Sequence, residues 1–232
     1  MKAPSRVRWQ FVVLVPLLLI AGIAARFMIL PRDRTPQAAV AAVRQRGGTV
    51  LFGPSGKSGL AQDVISVDLS RAVVDAELMQ TLGQFTGIVR LNFDGARLRS
   101  QDWAVLGKLP RLQNLSLSQS NVTDAGVSQL SLMLENLSLN GTSITDKSMS
   151  TLAAMNGLVS VDITDTRITP EGLRLLEPLA SLQTLYVDDA CIAAESVRSL
   201  QRMQPQNIEV VVSEGLGRRV HELLSVCKTP NI

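Results

Sequence analysis

Aromatic residues make up only 3% of this 232-residue chain, which also holds a single His and two Cys. Each scarcity excludes a class of chemistry. Two Cys cannot build a disulfide scaffold or a four-ligand zinc site. One His, His221, removes any two-His metal site and makes a Ser-His-Asp triad a poor reading. Charged residues are 19% and hydrophobic residues 46%, which argues against disorder and against a collagen-like repeat. The length suits one domain with an appendage.

The body of the chain lacks net positive charge, although the whole carries a net +3. Residues 1–46 hold eight Arg or Lys and one Asp, whereas residues 47–232 hold fifteen against nineteen Asp and Glu. A mildly acidic body is a poor partner for nucleic acid, because phosphate contacts need clustered cations. The basic N-terminus points to a membrane segment instead. From Phe11 to Leu30 the one charged residue is Arg26, and twenty helical residues rise about 30 Å, the thickness of a bilayer core. Trp9 suits one interface, and Arg26 is near enough to the other to snorkel. Pro16 is tolerable in a membrane helix. A cleaved signal peptide is the competing reading, since Lys2, Arg6 and Arg8 precede the apolar run. No Ala-x-Ala site precedes a polar start, and Phe27–Leu30 prolongs the run, which favours a retained anchor in contact with the lipid bilayer. Positive charge on the two flanks is nearly balanced, and the short tail before the span favours a cytosolic N-terminus with the body on the extracytoplasmic side.

Beyond the anchor the chain repeats itself. Units starting at Val64, Ile88, Leu112, Leu134, Leu158 and Leu182 are 24 residues long, except for a 22-residue third unit. Apolar residues fall at unit positions 1, 4, 6, 11, 16, 19 and 22; in the fifth unit these are Leu158, Val161, Ile163, Ile168, Leu173, Leu176 and Leu179. In this register all forty-two slots are apolar. Positions 4 and 6 alternate, as in a short strand with one buried face. Positions 16, 19 and 22 are three apart, as in a helix or 3₁₀ turn with one inward stripe. Between them lie helix-start signals: Ser100, Asp124 and Asp146 are read as acceptors for free N–H groups of the following turn. Thr169-Pro170-Glu171 supplies a cap, a Pro at the first helical position and an acid at the positive end.

A unit this short cannot bury its apolar side alone, so the units must stack in parallel into a curved solenoid with strands on the concave face. The expected fold is therefore α/β, with helices on the convex side. The pattern L-x-x-L-x-L-x-x-T-x-I-T-D-x-x-L-x-x-L resembles the leucine-rich repeat, in particular that of planctomycete-type bacterial membrane-anchored proteins, and is also similar to the repeats of F-box adaptors. The resemblance covers about 64–212. It implies a binding protein without catalysis or cofactor, which takes a protein or a cell-envelope component. The adaptor reading is weakened because residues 1–46 hold the anchor and no F-box-like helical segment. One departure stands out: position 9, usually Asn or Cys in this repeat, reads Ala72, Ala96, Ser120, Thr142, Thr166 and Ala190. A polar ladder there is incomplete, and packing must carry more of the stack.

The expected organisation is a cytosolic tail (1–10), a transmembrane anchor (11–30), a linker and N-terminal cap (31–63), six repeats (64–206) and a C-terminal cap (207–232). The N-terminal cap reads as a helix from Pro36 stopped by Gly47-Gly48, then a strand at Thr49–Phe52. The C-terminal cap reads as a strand at Val210–Val212 and a helix over Arg218–Cys227.

Candidate chemistry is sparse. Gly53-Pro54-Ser55-Gly56-Lys57-Ser58 looks like a phosphate loop and would make a nucleotide-binding enzyme. The first Gly of a Walker A motif would fall at position 51, which is Leu51, and a Gly/Ser-rich turn between cap strands explains these residues as well. Asn114, Asn121, Asn136 and Asn140 open N-x-[ST] sequons, all at positions where the repeat is polar anyway. His221 and Glu222 sit beside Arg218 and Arg219 and read as a solvated cap face. Cys191 reads as a buried small hydrophobe, and it could pair with Cys227 only if the terminal helix folds back within about 7 Å.

The surface best placed to act is the concave sheet, where positions 3, 5 and 7 point outward. The candidate binding residues are Arg90, Asn92, Asp94, Asn114, Ser116, Asn136, Ser138, Asp162, Tyr186 and Asp188. Arg90 and Tyr186 are the foremost, because binding hot spots favour Arg and Tyr.

Overall fold

The computed structural model of the chain describes residues 36–53, 64–99, 103–188, 208–213 and 218–219. The chain divides after Thr35 into two compact units, and the described residues belong to the second. The expected anchor at 11–30 lies outside them, as do the loop 54–63, the back half of the sixth unit and most of the C-terminal cap. Among the described residues no helix is long and apolar enough to cross a membrane.

The body begins with helix α1 (Pro36–Gln45), which stops at Gly47, in a left-handed conformation at φ 81°. Gly48 follows where the chain turns into strand β1 (Thr49–Phe52). Each repeat then contributes one short strand: β2 (Val64–Asp68), β4 (Arg90–Asn92), β6 (Asn114–Ser116), β7 (Asn136–Ser138), β8 (Ser160–Asp162) and β9 (Thr184–Asp188). Strands β10 (Glu209–Ser213) and β11 (Arg218–Arg219) close the far end. The sheet has the order β1-β2-β4-β6-β7-β8-β9-β10-β11. Its interior is parallel and in register: Val67, Leu91, Leu115, Leu137, Val161, Leu185 and Val210 align across seven strands. Only β1 and β11 run antiparallel to their neighbours. Arg218 and Arg219 are therefore in a strand, not at the start of the expected helix.

Strand and helix alternate because the apolar spacing changes within each unit. The convex side carries α2 (Ala76–Leu82), α3 (Ala104–Gly107), α4 (Asp124–Val127), α5 (Asp146–Ala153) and α6 (Pro170–Leu173), with a 3₁₀ turn at Arg174–Leu176. Strands and helices trap one continuous core that runs from Val43 through Phe85, Phe93 and Leu139 to Val212. At about 1.5–3 kcal/mol for each large side chain, this burial is what ties neighbouring units together. The repeat pattern thus folds as an α/β solenoid of stacked strand-and-helix units. Of the apolar slots that fall on described residues, all are buried but Met133, which is 72% exposed. The third unit is two residues short between Leu130 and Leu134, so Ser131 takes the buried slot and pushes Leu132 and Met133 outward.

The helix starts differ from expectation in an instructive way. The N-caps of α4, α5 and α6 are Thr123, Thr145 and Thr169, and the Asp that follows the cap of α4 and of α5 looks across to the next unit. Asp124 accepts the Thr145 N–H and hydroxyl at 2.8 Å each, together with the Ser148 hydroxyl. Asp146 repeats the arrangement with Thr169, at 2.8 and 2.7 Å. The Thr-Asp pair is therefore a staple between units. Burial works against ionisation of Asp124, but the Ser148 hydroxyl and the Thr145 N–H and hydroxyl outweigh it and hold its pKa below the ordinary 3.8. A depressed carboxylate pKa contributes stability that is present above the unfolded value and lost as pH falls through the folded one. Asp124→Ala leaves the Thr145 N–H without its acceptor, at a cost of about 1–3 kcal/mol. The deficit is expected to be full at neutral pH in urea melts and to shrink below about pH 4.

Among the described residues position 9 holds no ladder between units. The Thr142 and Thr166 hydroxyls each donate at 2.6 Å to a carbonyl of their own unit, Leu139 and Ile163. The Ser120 hydroxyl is buried with no partner among the described residues. A different residue supplies the polar link. Asn121 accepts the Leu98 N–H at 2.8 Å and donates to the Leu98 carbonyl at 3.0 Å. Its amide imitates a strand and extends the small parallel ladder of β3 (Val73–Val74) and β5 (Arg97–Leu98).

Candidate functional site

Because positions 4 and 6 turn into the core, positions 3 and 5 form two rows of side chains across the concave face. The first row is Ser66, Arg90, Asn114, Asn136, Ser160 and Thr184; the second is Asp68, Asn92, Ser116, Ser138, Asp162 and Tyr186. Neighbouring members of a row are about 4.8 Å apart, the strand spacing of a sheet. All of them but Thr184 line a groove of about 540 Å³ that reaches from Thr49 and Leu51 on β1 to Tyr186 on β9. Its two ends are the apolar points, since Leu51 is 62% and Tyr186 37% exposed. Of the expected site residues, Arg90, Asn92, Asn114, Ser116, Asn136, Ser138, Asp162 and Tyr186 all line this groove. Asp94 and Asp188, at position 7, are outside its lining and have other work.

That work is to fix the floor. Asp68, Asn92 and Asp162 each accept the N–H two residues on, from Ser70, Asp94 and Thr164, at 2.8, 2.8 and 3.0 Å. Each bond turns the chain out of its strand with a local side-chain cap. The third and fourth units have Ser at this position and borrow their order from neighbours. Asp94 accepts the Ser116 hydroxyl and the Ser118 N–H, the latter at 3.1 Å. The Ser118 and Ser138 hydroxyls share a bond of 2.7 Å. Asp188 accepts the Asp165 N–H at 2.6 Å. Asn136 donates to the Asn114 carbonyl oxygen at 2.8 Å. Much of the polar floor is thus held in place by hydrogen bonds within and between units. Asn114 and Asn136 remain half-buried in that floor, Asn140 donates to Thr164, and Asn121 is engaged on both polar atoms. The four sequons are thereby accounted for by roles within the stack.

Two further features matter that the spacing alone did not reveal. Arg46, just after α1, bonds Asp75 at 3.0 Å and approaches Glu77 at 3.6 Å, clamping the N-terminal cap to the first repeat. The Leu78 N–H, and then Arg46, hold the Asp75 carboxyl below its ordinary range. At position 15, Gly126 and Gly172 leave room for the preceding unit: a Cβ on Gly172 would lie 2.1 Å from an Asp146 carboxylate oxygen. Small residues at position 15 were a readable signal for the staple. The phosphate-like loop falls almost wholly outside the described residues, as do His221, Glu222, Cys191 and Cys227. Among the described residues no cluster of His, Cys, Asp or Glu could hold a metal ion.

No protein-family model matches the chain, and no curated protein does. Among solved structures it is similar to internalin C2 of Listeria monocytogenes, with 21% identity and a TM-score of 0.46, over 76% of this chain and 85% of that one. It is also similar to an internalin (inlF) of the same organism, with 17% identity and a TM-score of 0.47, over 79% of this chain and 56% of that one.

Proposed function

We propose that this chain is a non-catalytic binding protein that holds a polypeptide partner on the concave face of its solenoid and is tethered to a membrane by residues 11–30. The observation that carries the reading is the groove itself. A pre-ordered polar floor crosses the repeats and ends in an exposed Leu51 and an exposed Tyr186. Polar rows with free edges suit the amides of an extended chain, and the two apolar ends suit anchoring side chains. The tether rests on the apolar run from Phe11 and its basic flank. The body on the extracytoplasmic side and a cell-envelope protein as the partner complete the proposal.

A photo-crosslinking amino acid at Ser160, in the middle of the groove, tests the reading in the full chain expressed in its own cells. A polypeptide adduct is expected from that position, in the membrane fraction and resistant to an alkaline wash. The same label at Leu175, 46% exposed on the convex 3₁₀ turn, is expected to give none. Adducts from Leu175 and not Ser160 would reject the concave site, and release by the wash would reject the tether.

A further inference from the structure

The charges along the groove are unevenly placed. Among the described residues its lining holds one cation, Arg90 in the second repeat, with Asp68 in the first and Asp162 in the fifth. From the third repeat onward the described concave positions carry no Lys or Arg; the charged groups there are Asp162, Asp188 and Glu209. Arg90 is exposed, and among the described residues no carboxylate lies within salt-bridge distance of it. At the other end Tyr186 stands directly beside Asp162 in the sheet register. Asp162 is held by the Thr164 N–H and hydroxyl, both neutral donors, which fix its position and leave its negative charge in place. An exposed aromatic ring flanked by a carboxylate is a receptor for a cation: the ring face and the negative charge attract the same group. A partner complementary to the whole groove therefore has the opposite polarity, negative over the second repeat and positive over the sixth.

The distance sets its length. From β4 to β9 there are four strand intervals, or roughly 19 Å at about 4.8 Å each, and an extended chain covers that in about six residues at roughly 3.3 Å per residue. Building on the reading of the groove as a polypeptide site, we propose that its partner is an extended segment with an Asp or Glu and, about six residues away, a Lys or Arg. The segment lies across the strands, its acidic side chain over Arg90 and its basic side chain against Tyr186 and Asp162. Tyr186 is then an anchor for a cation and not for an apolar side chain.

Panning a phage-displayed library of random decapeptides against the full chain in detergent micelles tests this. Enriched peptides are expected to pair an acidic with a basic residue five to seven positions apart. Binding is expected to weaken about tenfold with Tyr186→Ala or Asp162→Asn and to fall with added salt. Asn at position 162 keeps an acceptor for the Thr164 N–H, so the fold survives that change. Arg90→Glu is expected to select peptides with a basic residue at both ends. Enriched peptides that lose binding with Ser160→Trp, yet show no charge pairing and tolerate Asp162→Asn, would overturn this inference and leave the groove reading standing. If no peptide is enriched, or if Ser160→Trp has no effect on those that are, both fall.

Discussion

Leu137→Asp is expected to unfold the middle of the solenoid. Leu137 is 2% exposed and stands at the centre of the aligned apolar row, between Leu115 and Val161. Its removal forfeits about 2–3 kcal/mol of burial. The replacing carboxyl has no partner in that row, and a polar group buried without a hydrogen bond costs several kcal/mol more. Together these approach the whole stability of an ordinary domain, roughly 5–15 kcal/mol. The damage depends on pH in a definite sense. Burial raises the carboxyl pKa in the folded state, so the neutral form is tolerated at low pH and destabilisation grows as pH rises above about 4. Urea melts followed by circular dichroism at several pH values read this directly. The neighbouring Asn136→Asp, half-buried in the groove, is expected to cost less than about 1 kcal/mol. A one-residue slip in register would reverse that ranking, because it turns every side chain to the opposite face. Equal effects at the two positions would refute the assigned strands.

The second large effect is expected from Gly48→Val. A Cβ at residue 48 would lie 2.7 Å from Leu69 Cδ2 and 2.8 Å from both the Asp68 carbonyl oxygen and Val43 Cγ1. The carbonyl belongs to the last residue of β2, which pairs with β1, so it cannot yield without opening the β1–β2 pair. The substitution wedges α1 and β1 away from the first repeat, at a cost of roughly 3 kcal/mol. In a solenoid each unit touches only its neighbours, so the damage stays near the end where it is made. Hydrogen exchange is the measurement. Amides in α1, β1 and α2 should lose protection, while those of β7 and β8 keep theirs. Uniform loss along the chain would mean that the cap and repeats fold as a single cooperative block.

How much of this was legible in the sequence follows from what each residue does. Apolar slots are decided by solvent alone, so Leu91, Leu137 and Ile163 could be placed by counting. Met133 could not. The length change in the third unit fixes the number of residues, not where they are omitted, and Ser131 is as plausible a surface residue as Met133 is a core one. Asp124 and Asp146 read as acceptors for the turn that follows each of them, but Thr123 and Thr145 hold the cap positions and the N–H each Asp takes belongs to the following unit. Local helix-cap chemistry cannot announce a partner more than twenty residues away. The groove was legible as alternating positions because strand geometry dictates it. Its charge placement became visible only once register set Asp162 beside Tyr186 and Arg90 four strands away. Gly126 and Gly172 were passed over because a small residue looks like freedom of the backbone. Here it is room for a neighbour.

The missing pair of residues in the third unit has a chemical consequence. Among the described methionines, Met79, Met149 and Met155 are sealed at 0% exposure, whereas Met133 presents its thioether to solvent. Among the described methionines, an oxidant in solution meets that sulfur first. Conversion to the sulfoxide there adds a dipole to a group already in water and spares the packing that the same oxidation would wreck at the other three. The short unit thus leaves an oxidisable thioether on the surface, away from the packed core.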